Sequence, residues 1–175
     1  MNIIVTGTSK GIGFQTVLKL AQTGEHQILA ISRDKAGLAQ LKAEFEKTGQ
    51  SKLNLLSFDL ANDDYGALAA QIETVFEFEK GNTIDILINN AGYLANKSFI
   101  ELDENDWRKT FEVNVFATAR LIKMLYPHFN RKSGSHIVNI GSMGGVQGTE
   151  KFPGLSAYSA SKGAVNILTE ALAKE

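Results

Sequence analysis

Short apolar runs alternate with longer stretches of helical periodicity along the whole chain. The apolar runs are nearly continuous, which is typical of parallel strands that are covered on both faces. They are Ile3 to Val5, Ile28 to Ile31, Leu53 to Phe58, Ile84 to Ile88 and His136 to Ile140. This alternation predicts an α/β fold, in which a doubly wound parallel sheet carries helices on both faces.

The stretches between these runs carry apolar residues at helical spacing. They predict helices over residues 11–24, 62–80 and 103–130, a helix that follows Asp34, and a last helix that starts near Ala157. Asp34 is a typical N-cap, because a carboxylate at this position accepts a hydrogen bond from an amide of the first turn. We therefore expect a helix after each strand.

Composition narrows the range of functions. The 175 residues suit one domain, and 18 basic against 19 acidic residues argue against nucleic-acid binding. Cysteine is absent and the three histidines are scattered, so the sequence predicts no metal site. It contains neither a run of eighteen apolar residues nor a basic leader, and we expect a cytoplasmic protein without a membrane span.

A glycine cluster follows the first predicted strand. Gly7, Gly11 and Gly13 have the spacing G-x-x-x-G-x-G and lead directly into a predicted helix. Glycines allow the backbone to approach a pyrophosphate, whose charge is stabilised at a helix N-terminus. The alternative is a strand-to-helix turn that binds nothing.

Four further motifs follow in order along the chain. Asn89-Asn90-Ala91-Gly92 ends the fourth strand, Asn114 lies inside the long predicted helix, and Ser142 follows the fifth strand. Tyr158 and Lys162 are four positions apart and share one face of the last helix. Each motif alone is compatible with an ordinary turn or helix residue, but their order along the chain is specific.

Together these motifs resemble those of the short-chain dehydrogenase/reductase family, and in particular 3-oxoacyl-carrier-protein reductases. The resemblance implies a Rossmann-type fold, a nicotinamide cofactor and hydride transfer between it and a small-molecule carbonyl or alcohol. It implies that Tyr158 transfers a proton, that Ser142 binds the substrate oxygen, and that Lys162 supports Tyr158 and binds the nicotinamide ribose. It also implies that Asn114 bends its helix and holds a water in a proton relay.

The second strand bears on cofactor choice. An acidic residue at its end would bind a ribose 2′-hydroxyl and favour NAD, but here Ser32 and Arg33 follow. Arg33 and Lys10 are two cations that suit the 2′-phosphate of NADP(H). The predicted cofactor-binding residues are Gly7, Ser9, Lys10, Gly11, Ile12, Gly13, Ser32, Arg33, Asp59, Leu60, Asn90, Ala91, Gly92, Tyr158 and Lys162.

The sequence departs from the family pattern at two places. The chain stops at Glu175, before the last strands and the substrate-covering helix of the family, so we expect one C-terminally truncated catalytic domain over residues 1–175. Tyr158 lies sixteen positions after Ser142, which suggests a small insertion at residues 150–153. The helices over 103–130 and 157–175 resemble those through which family members form homodimers or homotetramers.

Two alternatives to an NADP-dependent enzyme remain open. The first is a non-catalytic NADP-binding sensor or scaffold, which the short C-terminus favours. The second is a nucleotide-sugar epimerase, which the glycine spacing fits less well. Hydride transfer to a carbonyl would discriminate the enzyme from the sensor.

Overall fold

The computed structural model describes residues 1–48, 51–62 and 64–175, and in them five strands form one parallel sheet. The strands are β1 (Asn2–Thr6), β2 (Gln27–Ser32), β3 (Lys52–Ser57), β4 (Ile86–Asn89) and β5 (His136–Asn139), in the spatial order β3-β2-β1-β4-β5. After β3 the chain crosses to the other side of β1, where Ile3 pairs with Ile86. The predicted fold class is confirmed. The order reverses between β1 and β4, the place where doubly wound folds bind ligands.

The described residues group into two compact units. The sheet unit comprises residues 1–91 and 122–138, and the helical unit comprises residues 92–121 and 139–175. The assignment of residues 1–175 to one domain stays a prediction.

The sheet unit has an apolar core on both faces of its strands. Helices α1 (Gly11–Ala21) and α2 (Lys35–Phe45) pack on one face, where Val17 and Leu41 are fully buried with Ile3. Alternate strand residues point to the opposite face, and Ile4 there is also fully buried. Both faces are therefore covered, as the continuous apolar runs predict.

Several element boundaries differ from the sequence-based expectation. The third helix, α3, spans Tyr65–Phe76 rather than 62–80, because Glu77 adopts a left-handed conformation with φ 54°. The first helix ends at Ala21, before residue 24, and the fourth strand begins two residues late at Ile86. Asp34 caps α2 as predicted, since its carboxylate accepts a hydrogen bond from Gly37 N.

The helical unit contains α4 (Glu104–Phe111), the start of α5 (Ala117–Leu125) and α6 (Ser156–Leu172). The long helix predicted over about 103–130 is present as a continuous helical stretch from Glu104 to His128, but it is not α-helical throughout. A π-helical segment, Glu112–Phe116, separates α4 from α5, and a 3₁₀ turn with Pro127 follows α5, because proline has no amide proton to continue the helix. None of the helices in the described ranges is long and apolar enough to cross a membrane.

Candidate active site

The glycine turn, residues 6–13 of the sheet unit, is packed too tightly to accept side chains at two positions. A Cβ on Gly13 would lie 2.4 Å from the carbonyl oxygen of Gly7, and a Cβ on Gly7 would lie 2.7 Å from the Cα of Ala91. Gly7 and Gly11 also have φ of 70° and 62°, which L-residues rarely adopt. The first turn of α1 therefore lies directly against the end of β1.

The N-terminus of α1 has no side-chain cap. Lys10 occupies the N-cap position in an extended conformation, and the first turn contains no acidic residue. By contrast, Asp34, Asp64 and Asp103 cap α2, α3 and α4. The exposed amides of an uncapped helix start suit an anion such as a pyrophosphate.

Asn90 links the end of β4 to the end of β1. Its Nδ2 donates to the carbonyl oxygens of Thr6 at 2.9 Å and Gly7 at 3.0 Å. The Thr6 hydroxyl oxygen accepts in return from the amides of Asn90 and Ala91, at 3.1 and 3.0 Å. The NNAG motif at the end of β4 thus holds the glycine turn in place through these hydrogen bonds.

Two exposed cations lie at the start of α1 and the end of β2. Among the residues that the structure describes, neither Lys10 nor Arg33 forms an ion pair with a carboxylate. Ser32 is buried, and its hydroxyl oxygen accepts from the amide of Asp34 at 3.4 Å. The uncapped helix and the glycines suit the pyrophosphate of a dinucleotide.

The other predicted cofactor residues are distributed along both units. Ser9 lies against α2, since a Cβ on Gly37 would lie 2.5 Å from its Cβ. Ile12 is exposed, Leu60 is buried, and Asp59 accepts a hydrogen bond from Ala61 N at 3.0 Å. Gly92 is the first residue of the helical unit and is exposed.

In the helical unit, Asn114 lies in the π-helical segment and is only 1% exposed. Its Oδ1 accepts from Tyr93 N at 2.7 Å, and its Nδ2 donates to Tyr93 O at 3.0 Å and to the Ser161 hydroxyl at 2.8 Å. A π-helical turn inside an α-helix commonly marks a functional site. Because both Nδ2 protons are committed to protein acceptors, a relay water at Asn114 would have to donate to one of its carbonyl oxygens.

Tyr158, Ser161 and Lys162 lie on α6 of the same unit. Lys162 is 4% exposed, its Nζ donates to the Ile140 carbonyl at 2.6 Å, and it lies 5.9 Å from the centre of the Tyr158 ring. Burial lowers the pKa of the Lys162 ammonium from its ordinary value. The Ser161 hydroxyl donates to the Tyr158 carbonyl at 2.7 Å, so a chain of hydrogen bonds joins Asn114 to the main chain of Tyr158.

Ser142 begins a short turn that packs on α6. Its hydroxyl oxygen accepts from the amide of Gly144 at 3.2 Å, which leaves the hydroxyl proton available to another acceptor. A Cβ on Gly145 would lie 2.5 Å from the carbonyl carbon of Lys162. The helical unit therefore contains all four predicted catalytic residues: Asn114, Ser142, Tyr158 and Lys162.

The partners of these residues lie outside the sequence motifs. Thr6 fixes Asn90, while Tyr93 and Ser161 hold Asn114. The position of Thr6, at the end of a strand and just before a glycine, was an available signal. The signal for Ser161 was weaker, because it is only a small polar residue one helical turn after Tyr158.

Comparison with known proteins gives one consistent result. The family model described as short chain dehydrogenase matches residues 1–175. An uncharacterized oxidoreductase of Staphylococcus saprophyticus is 33% identical, with 99% of this chain and 66% of the relative covered. A 3beta-hydroxysteroid dehydrogenase of Mediterraneibacter gnavus is 34% identical, with 98% of this chain and 59% of the relative covered.

A solved structure agrees with these relatives. The short-chain dehydrogenase/reductase of Burkholderia phymatum, crystallised in complex with NAD, superposes with a TM-score of 0.82 at 28% identity, covering 98% of this chain and 58% of that one. The chain thus spans about three fifths to two thirds of the length of such relatives. Its fold, its sequence and the order of its motifs agree, and the chain belongs to the short-chain dehydrogenase family.

Proposed function

We propose that this chain carries the nucleotide-binding and catalytic residues of an NADP(H)-dependent oxidoreductase. The reaction is hydride transfer between the nicotinamide and a small-molecule carbonyl or alcohol. Family membership supports a nicotinamide cofactor and chemistry at a CH–OH group. The relatives offer no support for the alternative of a non-catalytic sensor.

The observation that carries the proposal is the burial of Lys162. Removing an ammonium from water is costly, and buried lysines are normally paired with a carboxylate. Lys162 has instead a carbonyl acceptor, and no described carboxylate forms an ion pair with it. A charge kept in this position at a cost to stability is explained by a role in catalysis beside Tyr158.

Each catalytic residue has a distinct role in carbonyl reduction. The cofactor, when bound, supplies the hydride. Tyr158 donates a proton to the substrate oxygen, and Ser142 stabilises the charge on that oxygen with its hydroxyl proton. Lys162 stabilises the ionised phenol that remains, and Asn114 holds the backbone beside it by its bonds to Tyr93 and Ser161.

The decisive variant is Tyr158→Phe, expressed from the complete reading frame. Removal of the hydroxyl deletes the proton donor, and we expect kcat for carbonyl reduction to fall by about 10² to 10⁴. Tyr126→Phe is a matched control, since Tyr126 is 51% exposed in the sheet unit and lies outside the site. Full activity in Tyr158→Phe would refute the mechanism. Binding of NADPH by the wild type without turnover on a broad carbonyl panel would favour a sensor.

We propose NADP(H) rather than NAD(H) because Lys10 and Arg33 are exposed cations without carboxylate partners among the described residues. Charged hydrogen bonds contribute about 1.5–3 kcal/mol, so Arg33→Ala should weaken NADPH binding roughly 10- to 100-fold and leave NADH binding nearly unchanged. Fluorescence titration with both cofactors measures this. Lys19→Ala removes an equal charge from the last turn of α1 and serves as the control. Equal losses for NADPH and NADH would overturn the assignment.

Association and location stay predictions. We propose a homodimer or homotetramer, because Phe116 and Ile167 are 49% and 65% exposed on the predicted contact helices. Light scattering of the purified protein at micromolar concentration would measure the assembly. We also propose a cytoplasmic location.

A further inference from the structure

A row of polar side chains joins α6 to the segment that contains Ser142. Lys162, Asn166 and Thr169 follow at spacings of four and three, so they share one face of the helix. Lys162 donates to the Ile140 carbonyl, and the Thr169 hydroxyl oxygen accepts from the side-chain Nδ2 of Asn139 at 2.9 Å. Asn166 lies between these two contacts. The side-chain amide of Asn166 lies against the chain on both sides of Ser142.

On one side of Ser142, the Nδ2 of Asn166 donates to the Gly145 carbonyl at 3.3 Å. On the other side, its Oδ1 faces Gly141. A Cβ on Gly141 would lie 2.8 Å from this Oδ1 and 3.9 Å from Cγ of the same asparagine, and among the described residues beyond its chain neighbours it would meet no other atom within 4 Å. One amide therefore contacts the residue before Ser142 and the residue that closes the turn after it.

We infer that Asn166 is a positioning residue, which holds Ser142 in place relative to Tyr158. The inference rests on the proposed function, because only a reaction needs the hydroxyl of Ser142 at a defined distance from a substrate oxygen. The turn around Ser142 contains glycines at 141, 144 and 145, whose backbone is intrinsically permissive. Without the amide of Asn166, α6 would still hold Ile140 through Lys162 and pack against Gly145, but the side chain that spans Ser142 between these two contacts would be lost.

The first test compares Asn166→Ala and Asn166→Asp with the wild type. Asp keeps the size of the side chain but cannot donate to Gly145. A displacement of about 1 Å can reduce a rate by about 10²-fold, so we expect both variants to lower kcat by roughly 10- to 100-fold while the Kd for NADPH stays unchanged. Thr169→Val removes a hydrogen bond of the same kind from the next turn of α6 and should keep the wild-type kcat.

The second test uses the glycine that Asn166 faces. In Gly141→Ala the new methyl group meets the side-chain amide of Asn166, its nearest described neighbour, so it should push this amide away and lower kcat as Asn166→Ala does. The double variant Gly141→Ala/Asn166→Ala should be no slower than Asn166→Ala alone, because residues in contact are not additive. Multiplicative losses would overturn the inference, since they would place the two residues in separate roles.

A third readout does not depend on activity. The amides of Gly144 and Gly145 donate to the side chain and the carbonyl of Ser142, so their hydrogen exchange reports the order of this turn. Exchange should become faster in Asn166→Ala and stay at the wild-type rate in Thr169→Val. Unchanged exchange, or unchanged kcat in an active enzyme, would overturn the inference. If the wild type shows no turnover, the proposed function fails and exchange still decides whether Asn166 holds the turn.

Discussion

The glycine turn of the sheet unit and the Asn114 network of the helical unit both bring distant segments together, but by opposite means. In the glycine turn, backbone meets backbone because side chains are missing, and a Cβ on Gly13 would lie 2.4 Å from the Gly7 carbonyl. In the network, polar side chains fill the interior: Asn114 is 1% exposed and Ser161 is fully buried. The first arrangement cannot accept an added atom, and the second cannot lose a hydrogen bond.

We attribute this difference to the role that the proposed function gives each part. A pyrophosphate is held by backbone amides, so the turn must bring the main chain close to the ligand. Proton transfer needs side chains, whose polar atoms must each find a partner when they are buried. The two parts therefore respond to different substitutions, and three experiments test this.

The largest effect on stability is expected for Gly13→Ala. The added methyl group overlaps the backbone of Gly7, which cannot move away as a flexible side chain could, so we expect a loss of about 4 kcal/mol in the free energy of unfolding. Urea denaturation measures it. Gly66→Ala makes the same change in the first turn of α3, where the nearest atom is a side-chain oxygen of Asp64 at 3.2 Å. There we expect a gain of up to about 1 kcal/mol. Equal effects at both positions would contradict the comparison.

A smaller loss is expected when the network loses its donors. Asn114→Asp keeps the shape of the side chain but removes the bonds that Nδ2 donates to Tyr93 and Ser161. A buried acceptor without its donor, beside a new buried charge, should lower the free energy of unfolding by about 3 kcal/mol.

Asn90→Asp provides the counterpart in the sheet unit. It loses two similar bonds at a partly exposed position, so about 1–2 kcal/mol is expected there. A larger loss at Asn90 than at Asn114, measured by the same denaturation, would show that burial is not what makes the network sensitive.

The smallest effect concerns pH and Lys162, the buried lysine of the helical unit. Burial lowers the pKa of Lys162, so the folded state disfavours its charged form. Below this lowered pKa the lysine is charged in both the folded and the unfolded state, so its burial lowers the free energy of unfolding by a constant amount. As the pH rises from there toward the unfolded value of about 10.4, the unfolded state holds more protons and stability increases.

Lys162→Met should lack this increase, which pH-dependent denaturation would detect as a difference from the wild type. Lys19→Met, which removes an exposed lysine from α1, should follow the wild-type curve. Identical curves for wild type and Lys162→Met would show that burial does not lower the pKa of Lys162.

Much of the fold and the candidate site could be predicted from the sequence. The alternation of apolar runs and helical periodicity is local, and it is sufficient to predict the parallel sheet and the Asp34 cap. The motifs were recognisable because glycine conformations and the spacing of Tyr158 and Lys162 act within a few residues. Local signals did not predict the ends of all elements. Glu77 ends α3 in a left-handed conformation, which a glutamate rarely adopts.

The tertiary structure alone decided which residues hold the site together. Thr6 and Asn90 are 84 positions apart, and Asn114 and Ser161 are 47 apart. The π-helical segment at Asn114 likewise belongs to a stretch that reads as a regular helix by periodicity. Such pairings depend on the packing of whole elements, because a buried polar atom takes whichever partner the fold brings to it. The sequence therefore determined the elements and the chemistry of the site, and the packing of distant segments determined its supports.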